Sequence, residues 1–471
     1  MIDDLLPRLR STPHEPAFLA EGLARRAIVR RGAIADRALR IAGLLHQRGL
    51  AAGDTVALAV RPGPSALAVV LAALRLRVRV ALVDPAVPPE LLTARLRAAD
   101  VSTVIADPVV RAAAGWAAPV VRRATGLRLA ELDAIAPVLV PPRRIPLTPS
   151  PDRSGEDAEA LVIFTSGTTG DPRAVVHTVA SLSAGLTAVT DLTDVRPQHP
   201  VVGATFFAMT PALLAGAPVC RRADRRALAG LRPQLTYLTP PQARDLLDDG
   251  ARFTGRVFTG SAPVSARLLE RLRTAGAQEA WGVYALTEAF PVAAVEARVK
   301  ASYDESGDLV GDLVAGMTAR TDQAGQVLIA GPGAAARYLG GGPLEEIATG
   351  DRGEVVGRRI VLHGRLKDMV LRGAENIYPG LLEPGLIVPG VAQALLVGVP
   401  GADLDERLVL VVEPEPGHSP DAVRRSLREP LTALGAARPD AVVVATIPTS
   451  GRSRKPDRGA TAALAAARLG G

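Results

Sequence analysis

The chain has 471 residues, of which 48% are apolar and 22% are charged. This length and apolar content exclude a disordered chain and are too large for one compact core, so we expect two or three domains. The net charge of +7 comes from scattered arginines and only 3% of the residues are aromatic, which together argue against a nucleic-acid-binding protein.

The cysteine content and the apolar segments bear on the compartment. Cys220 is the one cysteine, so no internal disulfide can form, and a reducing cytoplasm fits. The N-terminus lacks a basic stretch followed by an apolar one, so we predict no signal peptide. The most apolar early segment, 66–83, is interrupted by three arginines and predicts no membrane span.

Helical and extended patterns alternate in the first part of the chain. Apolar residues recur at helical spacing from Ile34 to Leu45, and Gly49 ends that predicted helix. Further elements follow in the order strand 55–60, helix 65–76, strand 78–83, helix 91–99 and strand 103–106. Such alternation predicts an α/β fold with parallel sheets covered by helices on both faces.

A change of pattern near residue 364 divides the chain. Short strands with glycine turns predict a small β-rich region over 309–363, and alternating elements return at 393–399, 408–412 and 441–445. We therefore predict a large N-terminal domain over 1–364, with parallel and mixed sheets flanked by helices, and a small mobile α+β domain over 365–471.

The strongest local signal follows an apolar strand at 160–164. Two glycines and four hydroxyl residues come next, and then a cation, in the order Thr165, Ser166, Gly167, Thr168, Thr169, Gly170 and, after Asp-Pro, Arg173. Glycines let backbone N–H groups approach an anion, and hydroxyls add donors. The composition predicts a phosphate-binding loop, and the Gly-Lys-Ser/Thr of a Walker A loop is absent.

The segment 164–173 resembles the phosphate-binding signature of the adenylate-forming superfamily, which includes acyl-CoA synthetases, peptide-synthetase adenylation domains and luciferases. That family usually has Lys-Gly after the proline, where this chain has Arg173 and Ala174. Arginine keeps the charge but is a planar fork. Further motifs follow in the family's order, so the resemblance covers nearly the whole chain and implies binding of ATP and Mg²⁺.

Two of these motifs carry implied nucleotide contacts. The string 281–288 resembles the family's Tyr-Gly-x-Thr-Glu motif, which implies that Tyr284 packs on adenine, Thr287 bonds the α-phosphate and Glu288 is the Mg²⁺ ligand. The string 349–351 resembles its Thr-Gly-Asp motif, which implies that Asp351 accepts hydrogen bonds from both ribose hydroxyls.

The next motifs lie at the predicted domain boundary and near the C-terminus. By the resemblance, Arg365 reaches the ribose, Lys367 is the hinge, and 371–379 enters the site in a second half-reaction. The last motif is irregular, and either Arg452 or Lys455 takes the position of the family's catalytic lysine. We favour Lys455, since a compact ammonium fits between a carboxylate and a phosphate better than a planar fork does.

The predicted acyl pocket is small and mostly apolar. It is formed by Phe206, Phe207, Gly260, Ser261, Ala262 and Ala285. No charged partner for an amino group accompanies these residues, which favours a hydrophobic or hydroxylated acyl chain over an amino acid. The two phenylalanines are equally compatible with a place in the core.

The resemblance implies a two-step reaction on a small carboxylic acid. ATP first converts the acid to an acyl-adenylate, and a thiol of CoA or of a carrier-protein phosphopantetheine then takes the acyl group. Some features, at 205–218 and 287–292, are similar to β-lactone synthetases of the olefin pathway, in which the substrate's own hydroxyl is the acceptor. A degenerate adenylate-binding protein is a further alternative. An acyl carrier protein and a second copy of the chain are open as partners.

Overall fold

The computed structural model of this protein describes residues 1–19, 28–84, 87, 89–106, 128–131, 158–164, 174–372, 375–400, 406–450 and 454–469. The predicted phosphate loop 165–173 and Arg452 lie outside these ranges. Within them, every helix is too short or too polar to cross a membrane.

The elements up to residue 178 centre on a parallel sheet. In chain order they are α1 (Leu5–Ser11), β1 (Pro16–Phe18), β2 (Val29–Arg30), α2 (Arg31–Gln47), β3 (Thr55–Ala59), α3 (Pro64–Leu76), β4 (Arg79–Leu82), α4 (Pro89–Ala98), β5 (Val101–Ala106), β6 (Arg128–Glu131), β7 (Glu159–Phe164) and β8 (Ala174–Thr178). Strand β3 lies between β4 and β5, and β4 also pairs with β7, all in parallel register, while β8 runs antiparallel to β7.

The next stretch builds a second sheet from strand–helix units. Its elements are α5 (Val179–Thr193), β9 (Val201–Val202), α6 (Phe206–Leu214), β10 (Val219–Cys220), α7 (Arg225–Leu231), β11 (Leu235–Leu238), α8 (Pro240–Asp248), β12 (Arg256–Gly260), α9 (Ala266–Thr274), β13 (Glu279–Tyr284), β14 (Ala293–Glu296) and α10 (Ala297–Ala301). Side chains of Thr205, Thr239 and Ser265 cap the helices α6, α8 and α9, which fixes where each helix begins. The strands β11, β12 and β13 are parallel neighbours, so their carboxyl ends share one edge.

The predicted β-rich region is confirmed. It contains β15 (Asp308–Leu313), β16 (Thr318–Thr321), β17 (Gln326–Ala330), β18 (Arg337–Tyr338), β19 (Ile347–Val356) and β20 (Arg359–Arg365). Within the described residues, these strands except β18 extend the second sheet in the order β16-β17-β19-β20-β15-β14-β13-β12-β11-β9-β10-β1-β2. Strand β18 instead joins the first sheet at β8, in the order β18-β8-β7-β4-β3-β5-β6.

A smaller unit follows residue 365. Its elements are β21 (Val370–Arg372), β22 (Glu375–Ile377), α11 (Pro379–Leu382), β23 (Val391–Pro400), β24 (Glu406–Pro414), α12 (Pro420–Ser426), α13 (Arg428–Ala433), β25 (Ala441–Val444), β26 (Thr449–Ser450), β27 (Lys455–Pro456) and α14 (Arg458–Leu469). Two hydrophobic clusters here draw their buried residues only from 370–465, on the two faces of the sheet β23-β24-β25. The α/β class, with a large sheet-rich part and a small C-terminal part, is confirmed.

The two large sheets share one hydrophobic core. Helix α3 is buried along 66–74, as expected for a helix that is apolar on every side. The same cluster includes Val80 of the first sheet and Leu235 and Phe258 of the second. Burying a side chain of this kind contributes about 1.5–3 kcal/mol, so the shared core holds the two sheets together.

Candidate active site

A buried carboxylate lies at the centre of the candidate site. Asp351 is only 5% exposed. The Tyr284 phenol donates a hydrogen bond of 2.6 Å to Asp351 Oδ2, and Arg365 Nε lies 2.8 Å from Oδ1. Three residues that the sequence assigned to the nucleotide therefore meet in one cluster, although 81 positions of sequence separate the first from the last.

Local backbone geometry sets the position of Asp351. Gly350 adopts a φ of +73°, which side-chain-bearing residues rarely adopt. The Thr349 hydroxyl accepts from the Asp351 N–H at 3.0 Å and donates to the Val327 carbonyl at 2.7 Å. Asp351 is also the register partner of Arg365 across β19 and β20. The Thr-Gly-Asp string thus holds its own backbone in one conformation, and this sets the direction of the Asp351 carboxylate.

Tyr284 acts here as a hydrogen-bond donor. Burial raises the pKa of the Tyr284 phenol well above its usual range, and the adjacent Asp351 charge raises it further. The phenol therefore keeps its proton and holds one carboxylate oxygen. The second lone pair of each Asp351 oxygen stays available to another donor, such as a ribose hydroxyl.

Glu288 lies beside the exit of the predicted phosphate loop. Phe164 and Ala174, the residues that flank 165–173, pair across β7 and β8, so both ends of the loop lie together. The next residue of β8 pairs with Tyr338 of β18, whose phenol donates to Glu288 Oε1 at 3.1 Å. The predicted metal ligand is thus held next to the strand that follows the predicted phosphate loop.

Thr287 is attached to the same strand by a buried histidine that sequence reasoning missed. His177 Nε2 lies 2.8 Å from the Thr287 carbonyl oxygen, which can only accept, so Nε2 carries the proton. Nδ1 lies 3.1 Å from Ser181 Oγ and accepts from that hydroxyl. The imidazole therefore connects strand β8 to the 284–288 motif.

His177 gives a prediction about stability. Burial lowers the pKa of the His177 imidazole below its usual 6.5, a shift that the Thr287 carbonyl only partly opposes. Below pH 6.5 the unfolded chain binds a proton that the folded chain rejects, so this group's contribution is complete above 6.5 and is lost as pH falls. His177→Gln keeps an N–H donor and removes the titration.

We expect the difference in unfolding free energy between wild type and His177→Gln to change by up to about 1.4 kcal/mol per pH unit between pH 6.5 and 5. Urea unfolding measured at intervals from pH 8 to 5 checks this, with the exposed His14→Gln as the matched control. Parallel curves for wild type and His177→Gln would contradict it.

Lys455, in the C-terminal unit, lies near the Asp351 cluster. It lies on β27, opposite Ser450 of β26. Although the residue keeps considerable surface exposure, protein atoms around its ammonium and the Arg365 charge lower its pKa below the usual 10.5, and the Asp351 charge opposes this. The structure therefore places Lys455 within electrostatic reach of the Asp351 cluster.

Ion pairs hold the C-terminal unit in this arrangement. Glu415 lies 3.0 Å from Arg267 Nη2 and 3.8 Å from Arg271 Nη1, both on α9. Next to Lys455, Arg454 pairs with Asp245 of α8 at 2.5 Å. The Arg454 pair directly adjoins Lys455, and both sets of pairs join the C-terminal unit to the helices α8 and α9.

The predicted acyl-pocket residues lie near the same edge of the second sheet. Phe206 and Phe207 begin helix α6, and the Phe207 ring lies 3.7 Å from that of Phe290, centroid to centroid. Gly260 ends β12 opposite Val283. Ala285 follows the carboxyl end of β13. Ser261 and Ala262 follow the carboxyl end of the neighbouring strand β12.

Some predicted site residues have no described contact with the Asp351 cluster. Thr165 to Gly170 and Arg173 lie outside the described residues. Lys367 is exposed in the 3₁₀ turn Leu366–Asp368 between the two units, a position open to the predicted hinge role. Besides His177, sequence reasoning missed Tyr237 and Tyr338. The sequence offered only one signal for these two residues, namely that tyrosine is rare in this chain, which contains five.

The site was then compared with known proteins. A family model described as AMP-binding enzyme matches residues 11–339. Indoleacetate–CoA ligase of Aromatoleum aromaticum is 29% identical over 315 residues, which are 58% of this chain and 61% of that protein. 2-Succinylbenzoate–CoA ligase of Salmonella typhimurium is 28% identical over 400 residues, or 81% of each chain.

The matched length differs among the relatives. The chain spans 15% of a PKS-NRPS hybrid synthetase of Aspergillus niger, at 31% identity over 278 residues, and less than two thirds of the indoleacetate ligase. Among solved structures, the amide bond synthetase McbA from Marinactinospora thermotolerans superposes with a TM-score of 0.82 at 20% identity, over 98% of this chain and 99% of that one. That likeness extends the fold to nearly the full length.

The family model covers more than half of the chain, including the strands that flank the predicted phosphate loop and the 284–288 motif. It agrees with the resemblance seen in the motifs. The chain therefore belongs to the AMP-binding enzyme family of adenylate-forming proteins.

Proposed function

We propose that this protein uses ATP and Mg²⁺ to convert a small carboxylic acid into an acyl-adenylate, and then transfers the acyl group to a thiol. The acceptor thiol would belong to CoA or to the phosphopantetheine of a carrier protein. Two observations support the proposal. Arg365 pairs with Asp351 at 2.8 Å, and the charges of both act on Lys455. Glu288 bonds to Tyr338, which pairs with strand β8 next to the end of the 165–173 segment.

In the first half-reaction a carboxylate oxygen of the acid attacks the α-phosphorus of ATP. The bond from that phosphorus to the bridging oxygen breaks, and pyrophosphate leaves. Negative charge on the phosphoryl oxygens is greatest in the transition state, so a fixed cation there accelerates the step. We assign this role to Lys455, aided by Arg173, while Asp351 binds the ribose hydroxyls and Thr287 the α-phosphate.

The side chains present fit a magnesium ion. Within the described residues there is no cluster of three or more acidic, histidine or cysteine side chains that could enclose a metal. Mg²⁺ instead commonly takes one or two carboxylates together with waters and substrate phosphates. Glu288, whose orientation Tyr338 fixes, would be that carboxylate. When bound, the ion would neutralise phosphate charge.

For the second half-reaction we propose that the division at residues 364 and 365 separates a core from a mobile domain that turns about Lys367. Separate hydrophobic clusters on the two sides support this. The crossing between them is tight, since a Cβ on Gly380 would come within 2.5 Å of Gly364 Cα. Rotation would withdraw Lys455 and bring in 371–379, as hinged domains do when they gate successive steps.

The choice of a thiol acceptor rests on the relatives, since two of them are named as acid–CoA ligases. Transfer to the substrate's own hydroxyl, giving a β-lactone, and a non-catalytic adenylate-binding role are the competing functions. Pyrophosphate release, measured with ATP, Mg²⁺ and a panel of short aliphatic, hydroxylated and aromatic acids, tests activation itself.

Adding CoA then separates the acceptors. Consumption of the thiol in proportion to AMP supports ligation, and the background is low because Cys220 is buried. Release of AMP at a rate indifferent to CoA would favour lactone formation or hydrolysis. If no acid of the panel releases pyrophosphate while ATP still binds, the non-catalytic role is favoured and the proposal fails.

The ion pairs of Glu415 give a further prediction. Glu415→Gln keeps the hydrogen bond that the carboxylate accepts from Gly390 N–H and weakens the pairs with Arg267 and Arg271. The pairs are partly exposed, so they are worth only about 1 kcal/mol, or a fivefold population shift. We expect adenylation to slow a few-fold and thiolysis of a supplied acyl-adenylate to quicken.

Separate assays of the two half-reactions check this. The control is Glu429→Gln on the exposed surface of the C-terminal unit. If Glu415→Gln slows both half-reactions equally and the control slows neither, Glu415 supports the site itself. That result would contradict a role in the balance between the two positions of the C-terminal unit.

A further inference from the structure

Two hydroxyls that the proposed mechanism does not use meet beside the residues of the predicted acyl pocket. The phenolic oxygen of Tyr237, on β11, lies 3.0 Å from Ser261 Oγ, just after β12. Because β11, β12 and β13 are parallel neighbours, the pair lies at the edge where β13 ends at Tyr284. We call Tyr237 and Ser261 the hydroxyl pair.

Contacts place the hydroxyl pair between the sheet and the start of helix α6. A Cβ built on Gly203 would lie 3.0 Å from the Ala208 Cβ and 3.4 Å from the Tyr237 Cβ, so Tyr237 adjoins the first turn of α6. That turn carries Phe206 and Phe207. A Cβ on Gly260 would lie 3.4 Å from the Tyr237 phenolic oxygen, so the glycine leaves space there.

The backbone at Ser261 is strained in a way that points to its hydroxyl. Ser261 has a φ of +70°, the left-handed region in which a side chain is unfavourable. Glycine would remove that strain, but it would also remove the hydroxyl that contacts Tyr237. Strain of this kind persists where the side chain serves a site.

No charged side chain of the described residues bonds to the hydroxyl pair. Burial raises the pKa of the Tyr237 phenol, the Ser261 hydroxyl lowers it, and no charged side chain of the described residues contributes. A carboxylate or an ammonium group placed there would lose its hydration without gaining a counter-charge, at considerable cost. A neutral group has no such penalty.

Among the described residues, the only hydrogen bond of either hydroxyl is the one between them. They carry two O–H groups, and one of these is used between them, so one O–H donor and several lone pairs remain for a ligand. A hydroxyl or carbonyl oxygen on the acyl chain would complete the set. A plain hydrocarbon chain packed against the half-buried pair would displace water and cover a donor that has no partner.

We propose that the Tyr237–Ser261 hydroxyl pair selects acids whose acyl chain bears an uncharged oxygen, hydroxy acids or oxo acids, over plain hydrocarbon acids, dicarboxylates and amino acids. This inference rests on the proposed acid activation. It assigns the pair to substrate choice, with no part in the transfer of the adenylyl group.

Matched acids test the proposal. Pyrophosphate release gives kcat/KM for butanoate against 3-hydroxybutanoate, pentanoate against 4-oxopentanoate, and phenylacetate against 4-hydroxyphenylacetate, with succinate and 4-aminobutanoate as charged acids. We expect the wild type to favour the oxygenated member of at least one pair by about tenfold or more, because the plain acid covers a donor that has no partner. Tyr237→Phe should reduce that ratio about tenfold, and so should Ser261→Ala.

Two further variants make the result specific. Ser261→Gly should raise the melting temperature by relieving the strain, yet lose the same selectivity, a combination that a merely structural role would not give. Tyr303→Phe is the matched control, since the Tyr303 phenol donates only to the nearby Ser306 carbonyl. It should leave the ratio unchanged.

The outcomes separate this inference from the proposed function. Pyrophosphate release in which no oxygenated acid is preferred, or in which Tyr237→Phe and Ser261→Gly keep the wild-type ratio, overturns the inference alone. A preference for succinate or 4-aminobutanoate also overturns it. If the wild type releases no pyrophosphate with any acid, both the inference and the proposed function fail.

Discussion

Replacing Lys455 by alanine is expected to slow acyl-adenylate formation by about 10²–10³-fold and to leave thiolysis of a supplied acyl-adenylate nearly unchanged. The reason is the position of the ammonium. It lies within electrostatic reach of Asp351 and Arg365, and is carried by a two-residue strand of the C-terminal unit. Only the first half-reaction, in which phosphoryl charge develops, needs a cation there.

The measurement is single-turnover adenylation and single-turnover thiolysis on the same preparations. Arg452→Ala is the control, because Arg452 is the other residue that the irregular motif offers for this role. Loss of adenylation in Arg452→Ala with full activity in Lys455→Ala would reverse the assignment. Equal loss of both half-reactions in Lys455→Ala would contradict a step-specific role.

The same lysine makes a prediction about pH. Its pKa lies below the usual 10.5 because surrounding protein atoms and Arg365 disfavour the charged form. The protonated form is the active one, so kcat/KM for ATP, which reports the free enzyme, should begin to fall at a lower pH than for a lysine with the usual pKa. Lys455→Arg should move this alkaline fall upward, because a guanidinium stays charged.

Periodicity was enough to predict most of the fold. The strand predicted at 55–60 is observed at Thr55–Ala59 and the helix predicted at 65–76 at Pro64–Leu76, because both are continuous apolar segments bounded by turn residues. The β-rich region was equally readable from its glycine turns. The pairing of β18 with the first sheet could not be predicted, because a strand of two residues is too short to show a periodic pattern.

The site was predicted in part, for a physical reason. Strings such as Thr349-Gly350-Asp351 fix their own local geometry, so their residue types reveal a role. Contacts such as His177 to Thr287, 110 residues apart, depend on how two sheets meet. A single sequence gives no measure of that distance. For the same reason the pairing of Tyr237 with Ser261 became visible only in the structure.

The motif order constrains the function more than any one motif does. Glu288 precedes the β-rich region and Asp351 lies within it on β19, yet Tyr284, four residues before Glu288, bonds Asp351 directly. A protein that only bound a nucleotide would need the Asp351 cluster. The added approach of Lys455 from the C-terminal unit is what phosphoryl chemistry requires and binding alone does not, which favours an enzyme.

Glu288→Gln is expected to lower the magnesium-supported rate of adenylation by about a hundredfold and to raise the magnesium concentration needed for half-maximal rate. In the wild type the Tyr338 phenol lies 3.1 Å from Glu288 Oε1. The amide has the size of the carboxylate and keeps an oxygen that can accept this hydrogen bond. It loses the negative charge, on which a hard cation such as Mg²⁺ depends.

The fold should tolerate this change. Glu288 also accepts the Ala335 N–H through its backbone carbonyl, at 2.7 Å, and the substitution leaves that bond in place. We expect the free energy of unfolding in urea to change by less than about 1 kcal/mol, a typical limit for substitutions that keep a side chain's shape and main contacts.

Glu346→Gln, at an exposed carboxylate paired with Arg320, serves as the control for loss of one negative charge. If the magnesium titration of adenylation is the same in wild type, Glu288→Gln and Glu346→Gln, then Glu288 is no metal ligand, and its bond to Tyr338 would only tie the 284–288 motif to strand β18.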